Sequence, residues 1–498
     1  MKYSVNAKRV LGKRDIMLYG HFIEHFHRQI YGGVYDPGNP LSDEDGFRTD
    51  VLDAMRKIRV PVMRWPGGCF VSTYNWKKAV GPERTPMFDK SWRVEDPNTF
   101  GTDEYVKMCR KIGCEPYICT NAGTGTPEEM SDWLEYCNLD HEGEFAKWRI
   151  ANGCREPHKV KYWSIGNENY GGWELGAKTV GEWGRLVLES AKLMKRVDPD
   201  TELSAAALSD TNWNVELLRN AGQYLDWISI HKYWDMMPQV NSFADYEGVM
   251  AYTDDLGNDL NRVRGLLTAF GLEKKIKIAY DEWNLRSWHH PNVHTIRQGR
   301  TPDEYITPRD LNDRNQDYTM ADAVFSACFL NTLNRNCDIV GMANFAPIVN
   351  TRGCIYTHKD GIVLRSTYHV FDLYVNYLGD EILDLWTPDA CEMMKVRAKN
   401  GRYTEVPVLD VLATKRSWDG VTAVSAVNKH ASETRSITLD VENAAEYRIV
   451  TVNGDSTESY NDVDVNGVAL TEGEWIPVSG SVAAELAPHS VNIIEIRS

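Results

Sequence analysis

The sequence lacks the features that identify several classes of protein. No run of about 18 apolar residues occurs, so the pattern excludes a helical membrane protein. The formal net charge is −16, and a nucleic-acid or anionic-membrane partner would need an excess of basic side chains. The first residues also contain no apolar stretch of the kind found in secretory signals, and we expect a cytoplasmic protein.

Cysteine and histidine motifs for metal binding are missing as well, although the chain contains ten cysteines. Cys109, Cys114 and Cys119 are spaced by five residues, which fits neither a C-x-x-C redox motif nor a zinc site. The histidines in residues 21–27 and in the stretch WHHPNVH lack the H-E-x-x-H spacing of a metallohydrolase. We therefore expect reduced thiols and no metal.

Aromatic residues, in contrast, are abundant. The chain has 16 Trp and 24 Tyr, many of them beside Gly, Asn or acidic residues rather than within apolar runs. Aromatic faces next to hydrogen-bonding groups suit a ligand with apolar C–H faces and a rim of hydroxyls. This composition favours a sugar as the ligand.

Short apolar strands alternate with amphipathic helices over residues 15–380. Eight strands, each followed by a helical pattern, predict a (β/α)8 TIM barrel. An open doubly wound sheet is disfavoured because no glycine-rich phosphate loop follows the first strand. The predicted strands are IMLYGHFIEH, VPVMRWPGG, EPYICTNAG, VKYWSIGNEN, ELSAAAL, LDWISIHKYW, KIKIAYDEWN and DIVGMANFAP.

Residues 381–498 show a different pattern, in which apolar and polar residues alternate between Asn, Asp and Gly turns. This alternation predicts a C-terminal antiparallel β-sandwich domain of jelly-roll type. Residues 1–14 are expected to add an edge strand to it. No low-complexity linker separates the two domains, so we expect them to pack tightly.

Two glutamates end barrel strands: Glu168 follows the fourth and Glu282 the seventh. A single such glutamate is more often a structural ion-pair partner, but two that open onto the same barrel face favour catalysis. A carboxylate pair can cleave a glycosidic bond if one group is neutral and the other ionised. The aromatic neighbours of Glu168 predict a raised pKa and the acid role, and Glu282 is expected to stay ionised.

Four stretches in order resemble the α-L-arabinofuranosidases of glycoside hydrolase family 51, and the resemblance covers nearly the whole chain. It implies a retaining mechanism without metal or organic cofactor, with Glu168 as general acid/base and Glu282 as nucleophile about 5–5.5 Å apart. The stretches are FIEHFHRQIYGGVYDPGNPLSDEDGFRTDV, MRWPGGCFVSTYNWKKAVGP, WSIGNENYGGWELG and YDEWN.

The same resemblance implies a set of substrate-binding residues and an arabinose-containing oligosaccharide as the substrate. Family members commonly form hexamers, so a homo-oligomer is expected. The implied substrate-binding residues are Glu24, Cys69, Trp92, Asn167, His231, Tyr233 and Asn350.

Two positions depart from the family pattern: Cys69 stands where many members have Asn, and Pro347 where many have Gln. Neither can make the hydrogen bond of the residue it replaces in the same way. Release of terminal α-L-arabinofuranosyl units is the expected activity, with β-D-xylosidase or endo-glucanase activity as the alternative. A non-catalytic carbohydrate-binding protein and a metal-dependent hydrolase are the remaining hypotheses.

Overall fold

The structure, a computed structural model, describes residues 1–235, 243–287 and 313–498. The strands, in chain order, are β1 (Lys2–Lys13), β2 (Gly20–Phe22), β3 (Val62–Trp65), β4 (Met87–Asp89), β5 (Val94–Asp96), β6 (Glu115–Thr120), β7 (Tyr162–Ile165), β8 (Glu202–Ala205), β9 (Trp227–Asp235), β10 (Lys277–Arg286), β11 (Val340–Phe345), β12 (Ile355–His358), β13 (Gly361–Leu364), β14 (Glu381–Trp386), β15 (Met393–Arg397), β16 (Tyr403–Pro407), β17 (Leu409–Lys415), β18 (Thr422–Asn428), β19 (Arg435–Val441), β20 (Glu446–Gly454), β21 (Asn461–Asp462), β22 (Val465–Asn466), β23 (Val468–Glu472), β24 (Ile476–Pro477), β25 (Val482–Leu486) and β26 (Ser490–Arg497).

Eight of these strands form a parallel sheet in the order β8-β7-β6-β3-β2-β11-β10-β9. A bridge between Ala206 and Ser229 joins β8 to β9 and closes the sheet into a barrel. Most residues of these strands are buried, as in parallel sheets covered by helices. The predicted (β/α)8 barrel is thus confirmed, with each of the eight predicted strands in place.

The helices of the described residues surround this barrel, and most of them bury one side. The helix Met320–Arg335 is an exception, since all of its residues except Arg335 are buried. Helix α5, for example, begins with a capping box in which Thr179 and Glu182 bond each other's backbone amides. None of the described helices has the length and apolar character that crossing a bilayer requires. The α-helices are α1 (Thr49–Lys57), α2 (Thr102–Ile112), α3 (Pro127–Asn138), α4 (Gly143–Ala151), α5 (Val180–Val197), α6 (Thr211–Ala221), α7 (Tyr246–Ala251), α8 (Asn258–Phe270), α9 (Met320–Arg335) and α10 (Ser366–Tyr377).

A second large sheet, in the order β23-β20-β26-β18-β17-β14-β1-β19-β25, contains the C-terminal strands. Its neighbours pair antiparallel, apart from β1 with β19, and alternate side chains along β25 are buried. The predicted C-terminal sandwich is confirmed. Residues 1–14 do supply a strand to this sheet, but the predicted edge position is wrong: β1 lies inside the sheet, because it pairs with both β14 and β19.

Candidate active site

A cavity of about 170 Å³ opens at the carboxyl ends of the barrel strands, the end where barrels of this kind place their working residues. Seven of the nine predicted site residues line it, which brings residues from across the barrel onto one small space. Its lining consists of Glu24, Phe26, Gly68, Cys69, Trp92, Asn167, Glu168, Tyr233, Glu282, Ser287 and Arg352.

Glu168 and Glu282 face each other across this cavity. Three atoms lie within 4.8 Å of one another: one carboxylate oxygen of Glu168, one of Glu282 and a ring nitrogen of His231. The His231 Nδ1 atom is 2.9 Å from Glu168 Oε1 and 3.7 Å from Glu282 Oε2. The carboxylates are therefore closer than the roughly 6.5–9.5 Å that leaves room for a water in inverting glycosidases.

Glu168 lies in the turn after β7 and has a left-handed backbone, with φ of 45°. For a residue other than glycine this conformation costs about 1 kcal/mol or more, and such strain concentrates at functional sites. The turn is held by a bond from the Gly171 amide to the Glu168 carbonyl, 2.7 Å long. The strained turn directs the carboxylate into the barrel mouth.

The prediction that the pKa of Glu168 is raised proves wrong. Burial does raise it, but a hydrogen bond from His231, the His231 charge and the Trp173 indole, 3.0 Å away, outweigh burial and lower the pKa of Glu168. The prediction counted only the apolar character of the aromatic neighbours. One of them, Trp173, donates a hydrogen bond to Glu168, and the cationic His231 of β9 lies beside the same carboxylate.

His231 carries that positive charge. Its burial lowers the pKa, but the Glu282 charge and hydrogen bonds to Asp281 and Glu168 raise the pKa of His231 to about 10. Near neutral pH both ring nitrogens therefore donate, Nδ1 to Glu168 and Nε2 to Asp281 at 3.2 Å. The histidine holds a proton beside Glu168.

Glu282 lies within β10 and not at its end, because the strand continues to Arg286. A register irregularity between Ala279 and Glu282 turns the carboxylate into the cavity, and pairing with β9 then resumes. Arg64 Nη1 donates to Glu282 Oε1 at 2.6 Å, and Tyr233 Oη donates to Oε2 at 2.8 Å. Both oxygens of Glu282 thus have donors.

Arg64 and Asp281 support this arrangement from below, and neither was predicted as a site residue. Arg64 is fully buried and lies 3.4 Å from Asp281, which also accepts from Tyr117 and Ser229. Burial raises the pKa of Asp281, but the Arg64 charge, the charge and hydrogen bond of His231 and the hydrogen bond from Ser229 together outweigh burial and lower that pKa. Their positions near the end of β3 and next to Glu282 within β10 are the only sequence signal for them.

The two glycines after β3, Gly67 and Gly68, let the backbone approach the side chains of Glu24 and Glu282. A Cβ at Gly67, whose φ is +145°, would lie 2.2 Å from Glu24 Cγ. One at Gly68 would lie 3.1 Å from Glu282 Oε1. Side chains at these positions would collide with the site.

Glu24 and Trp92 form one wall of the cavity. Trp92 Nε1 donates to Glu24 Oε1 at 3.1 Å, and the Phe70 amide donates to the same oxygen at 3.1 Å. Burial and the Glu282 charge raise the pKa of Glu24 to about 8, against these two donors. At neutral pH Glu24 is therefore protonated and has a proton to donate.

Asn167 and Cys69 meet a third buried carboxyl, Glu174. Asn167 accepts from Arg64 Nη2 at 2.9 Å, and its amide nitrogen lies 3.5 Å from Glu174 Oε2. Ser72 Oγ donates to the other oxygen at 2.5 Å. Burial raises the pKa of Glu174 to about 7, despite hydrogen bonds from Cys69 and Ser72.

Asn350 lies outside the cavity. Its amide nitrogen donates to the Arg28 carbonyl at 2.6 Å and to Thr357 at 2.9 Å, so it joins two loops. Arg352, two residues later, lines the cavity instead. A chain turn decides which of these two residues faces the site, and the sequence carries no signal for that.

Among the residues that the structure describes, no group of potential metal ligands includes His21, His25 or His27. His21 packs between Phe345 and Phe371, and His25 bonds Asp96; the stretch WHHPNVH lies outside the described residues. The Glu168–His231–Glu282 group has suitable atoms, but Arg64 and protonated His231 oppose a divalent cation there.

Comparisons with known proteins identify similar proteins over most of the chain. Residues 54–250 match the family model "Alpha-L-arabinofuranosidase 1 domain", and residues 281–490 match "Alpha-L-arabinofuranosidase C-terminal domain". An intracellular exo-α-(1→5)-L-arabinofuranosidase of Halalkalibacterium halodurans is 32% identical over 87% of this chain and 85% of its own. The α-L-arabinofuranosidase C of Emericella nidulans is 34% identical over 88% and 86%.

Solved structures show the same relationship over the full length. The Thermotoga maritima α-L-arabinofuranosidase, in complex with arabinose, has a TM-score of 0.87 and 34% identity, with 99% of both chains covered. The family 51 enzyme of Thermotoga petrophila RKU-1 also has a TM-score of 0.87 and 34% identity, with both chains fully covered. The chain belongs to the α-L-arabinofuranosidases of glycoside hydrolase family 51.

Proposed function

We propose that the protein is a retaining exo-glycosidase that releases terminal non-reducing α-L-arabinofuranosyl units from arabinoxylan- or arabinan-derived oligosaccharides. The observation that carries the proposal is the approach of the Glu168 and Glu282 oxygens to within 4.8 Å. This spacing suits a covalent glycosyl-enzyme intermediate. The cavity of about 170 Å³ is smaller than the roughly 300 Å³ of ordinary ligand pockets, which suits one sugar ring at a chain end.

Glu282 is the proposed nucleophile. Its carboxylate attacks the anomeric carbon while the bond to the leaving oxygen breaks, and Glu168 supplies that oxygen with a proton. In the second step Glu168 takes a proton from water, which displaces Glu282 and releases arabinose. Arg64 and Tyr233 donate to the two oxygens of Glu282 and orient the carboxylate before attack.

The lowered pKa of Glu168 requires a source for the first proton. His231 Nδ1 carries one and lies 2.9 Å from Glu168 Oε1. We propose that this proton is shared between the two groups and moves onto Glu168 when a bound sugar excludes water from the cavity. Exclusion of water disfavours the separated charges of the pair, so it favours the neutral acid.

The glycone is proposed to bind through the remaining walls. Protonated Glu24 donates to one hydroxyl, Asn167 bonds the hydroxyl next to the anomeric centre, and Trp92 covers the ring face. Burial raises the pKa of the Cys69 thiol, so Cys69 can act as a weak donor. Asn350, which lies outside the cavity, acts through the loop that it holds.

The names of two relatives support a proposal for the cellular setting. Those from Halalkalibacterium halodurans and Acetivibrio thermocellus are named intracellular, and we propose a cytoplasmic enzyme that acts on imported oligosaccharides. We also propose a homo-oligomer, a hexamer by family resemblance, that works without metal, organic cofactor, nucleic acid or membrane. Light scattering of the purified protein gives its mass and tests the oligomer.

A panel of aryl glycosides tests the function. Turnover of the α-L-arabinofuranoside well above the β-D-xyloside and β-D-glucoside is the expected result, whereas preference for the xyloside would establish the alternative activity. Glu282→Ala should abolish turnover, and azide should restore it with a β-L-arabinofuranosyl azide as product. Failure of azide to restore turnover in a folded variant would remove Glu282 from the nucleophile role.

A further inference from the structure

Arg352 is a cavity residue without an assigned role. It lies in the loop that follows β11, and its guanidinium donates two hydrogen bonds: Nε to the Ala346 carbonyl at 2.9 Å and Nη2 to Tyr233 Oη at 3.0 Å. The guanidinium carbon also lies 4.7 Å from the centre of the Tyr233 ring. The guanidinium is thus fixed to its own loop through Nε and to Tyr233 on β9 through Nη2.

These contacts determine where the Tyr233 proton points. A guanidinium has donors only, so the Tyr233 oxygen must accept from Arg352. A phenol has a single proton, and the other partner of this oxygen is Glu282 Oε2 at 2.8 Å. The Tyr233 hydroxyl must therefore donate to Glu282.

We propose that Arg352 is a positioning residue for the nucleophile, which it controls through Tyr233. By fixing the Tyr233 hydroxyl as a donor, Arg352 keeps one oxygen of Glu282 bonded as an anion before attack. The same donor then faces the ester oxygen of the glycosyl-enzyme and stabilises the carboxylate that leaves when water attacks. Both chemical steps therefore depend on Arg352, although no bond to it is made or broken. The inference rests on the proposed glycosidase function.

Charge alone does not account for the arrangement. Glu282 is surrounded by the anions Glu168 and Asp281, by the protonated Glu24 and by the cations Arg64 and His231, so cations are already present on its other sides. Arg352 also fixes an orientation, because its planar guanidinium donates to two acceptors at once, the Ala346 carbonyl and the Tyr233 hydroxyl. A lysine in its place would supply the charge without the two-point geometry.

A substitution series separates these properties. Arg352→Lys keeps a cationic donor, Arg352→Met removes every donor, and Arg352→Gln introduces an acceptor that lets the Tyr233 hydroxyl turn away from Glu282. We expect kcat on an activated aryl α-L-arabinofuranoside to fall least for Lys and most for Gln. The loss for Met should be on the order of 10-fold, as for one charge-assisted hydrogen bond. A larger loss for Lys than for Gln would contradict the proposal.

A double-mutant cycle with Tyr233→Phe gives the decisive test. If Arg352 acts through the Tyr233 hydroxyl, Arg352→Met should change kcat by less than about 2-fold in the Tyr233→Phe background. Full additivity of the two losses would refute the proposal and leave a merely structural role.

The control is Lys232→Met, which removes a positive charge from the same strand. Lys232 Nζ bonds Asp255 and Asp259 rather than the cavity, so kcat should stay within about 2-fold of the wild type. Circular dichroism and the unfolding midpoint establish folding, and Arg352→Lys completes the cycle if Arg352→Met does not fold. An inactive wild type would refute the proposed function itself, whereas an active wild type with additive losses refutes only the role of Arg352.

Discussion

At the residue scale, His231 shows that a side chain distant in sequence can determine the pKa of a site residue. Glu168 has aromatic neighbours along the chain, and from those alone its pKa was predicted to rise. The group that decides the pKa of Glu168 is His231, which is 63 positions away in sequence and 2.9 Å away in space. Contacts across a barrel mouth cannot be read from the residues next to each group.

Replacement of Glu168 by Ala should show the signature of a lost acid. Aryl arabinofuranosides with very good leaving groups need no protonation, so the rate of glycosylation by the variant should stay close to that of the wild type. Turnover of an unactivated arabino-oligosaccharide should fall by about 10²- to 10⁴-fold, the usual contribution of general acid catalysis. Steady-state and burst kinetics on the two substrates measure this difference, and equal losses on both would contradict the acid role.

Glu174→Gln should stabilise the protein in a pH-dependent way. Burial raises the pKa of Glu174 from 4.5 to about 7, so the folded state binds more protons than the unfolded state between these values. The wild-type free energy of unfolding therefore loses a contribution as pH rises through that window, and the variant does not. The advantage of the variant should grow by on the order of 3 kcal/mol between pH 4.5 and pH 8.

Thermal unfolding of the two proteins at several pH values measures this advantage. Glu156→Gln is the matched control, because the Glu156 side chain is 86% exposed. If Glu174→Gln differs from the wild type in unfolding midpoint by the same amount at pH 5 and at pH 8, the raised pKa of the buried Glu174 carboxyl is contradicted.

At the scale of elements, the hairpin β4–β5 places Trp92 on the cavity wall. Asp89, at the end of β4, accepts from the Ser91 and Trp92 amides at 3.0 and 2.8 Å. Asp96, at the end of β5, bonds His25 beneath the hairpin at 2.8 Å. The hairpin is thus anchored on both strands, and the Trp92 ring packs 4.2 Å from that of Phe26.

Two substitutions separate the two contributions of Trp92 to sugar binding, its hydrogen bond to Glu24 and its ring as a wall of the cavity. Trp92→Phe keeps the contact with Phe26 but loses the donor to Glu24, so KM for an aryl arabinofuranoside should rise by about 3- to 10-fold. Trp92→Ala removes the wall as well and should raise KM further. Equal KM values for the wild type and Trp92→Ala would exclude this hairpin from sugar binding.

The elements themselves were largely predictable, because a buried parallel strand followed by an amphipathic helix has a strong sequence pattern. The sequence pattern predicts all eight barrel strands, and the ends of two of them indicate Glu168 and Glu282, whereas Glu24, Asn167 and Tyr233 are implied by the family resemblance. Loop residues were not predictable in the same way. Asn350 has φ of 53° and turns its side chain away, and this turn brings Arg352 into the cavity.

At the scale of the whole molecule, β1 connects the first residues of the chain to its last third. It pairs antiparallel with β14 and parallel with β19, so its removal would leave two strand edges open in the large sheet. The division into domains at 15–380 and 381–498 stays a prediction. The position of β1 indicates that the C-terminal part needs residues 2–13 to complete its sheet.

Deletion of residues 1–12 should therefore lower the yield of soluble protein and the unfolding midpoint, because Tyr3 and Val5 leave the core of the sheet. Replacement of the exposed Lys8 and Arg9 by Ala tests for an effect of surface charge and should leave both quantities unchanged. A truncated protein with the wild-type midpoint would show that the sheet does not depend on β1. Soluble yield and thermal unfolding give the result.

The stereochemistry of the reaction tests the paired carboxylates most directly. Aryl α-L-arabinofuranoside is hydrolysed in dilute methanol, and proton NMR identifies the methyl glycoside, which cannot mutarotate after it forms. Glu168 and Glu282 oxygens within 4.8 Å of each other predict double displacement, and therefore methyl α-L-arabinofuranoside. Formation of the methyl β-L-arabinofuranoside would contradict the account.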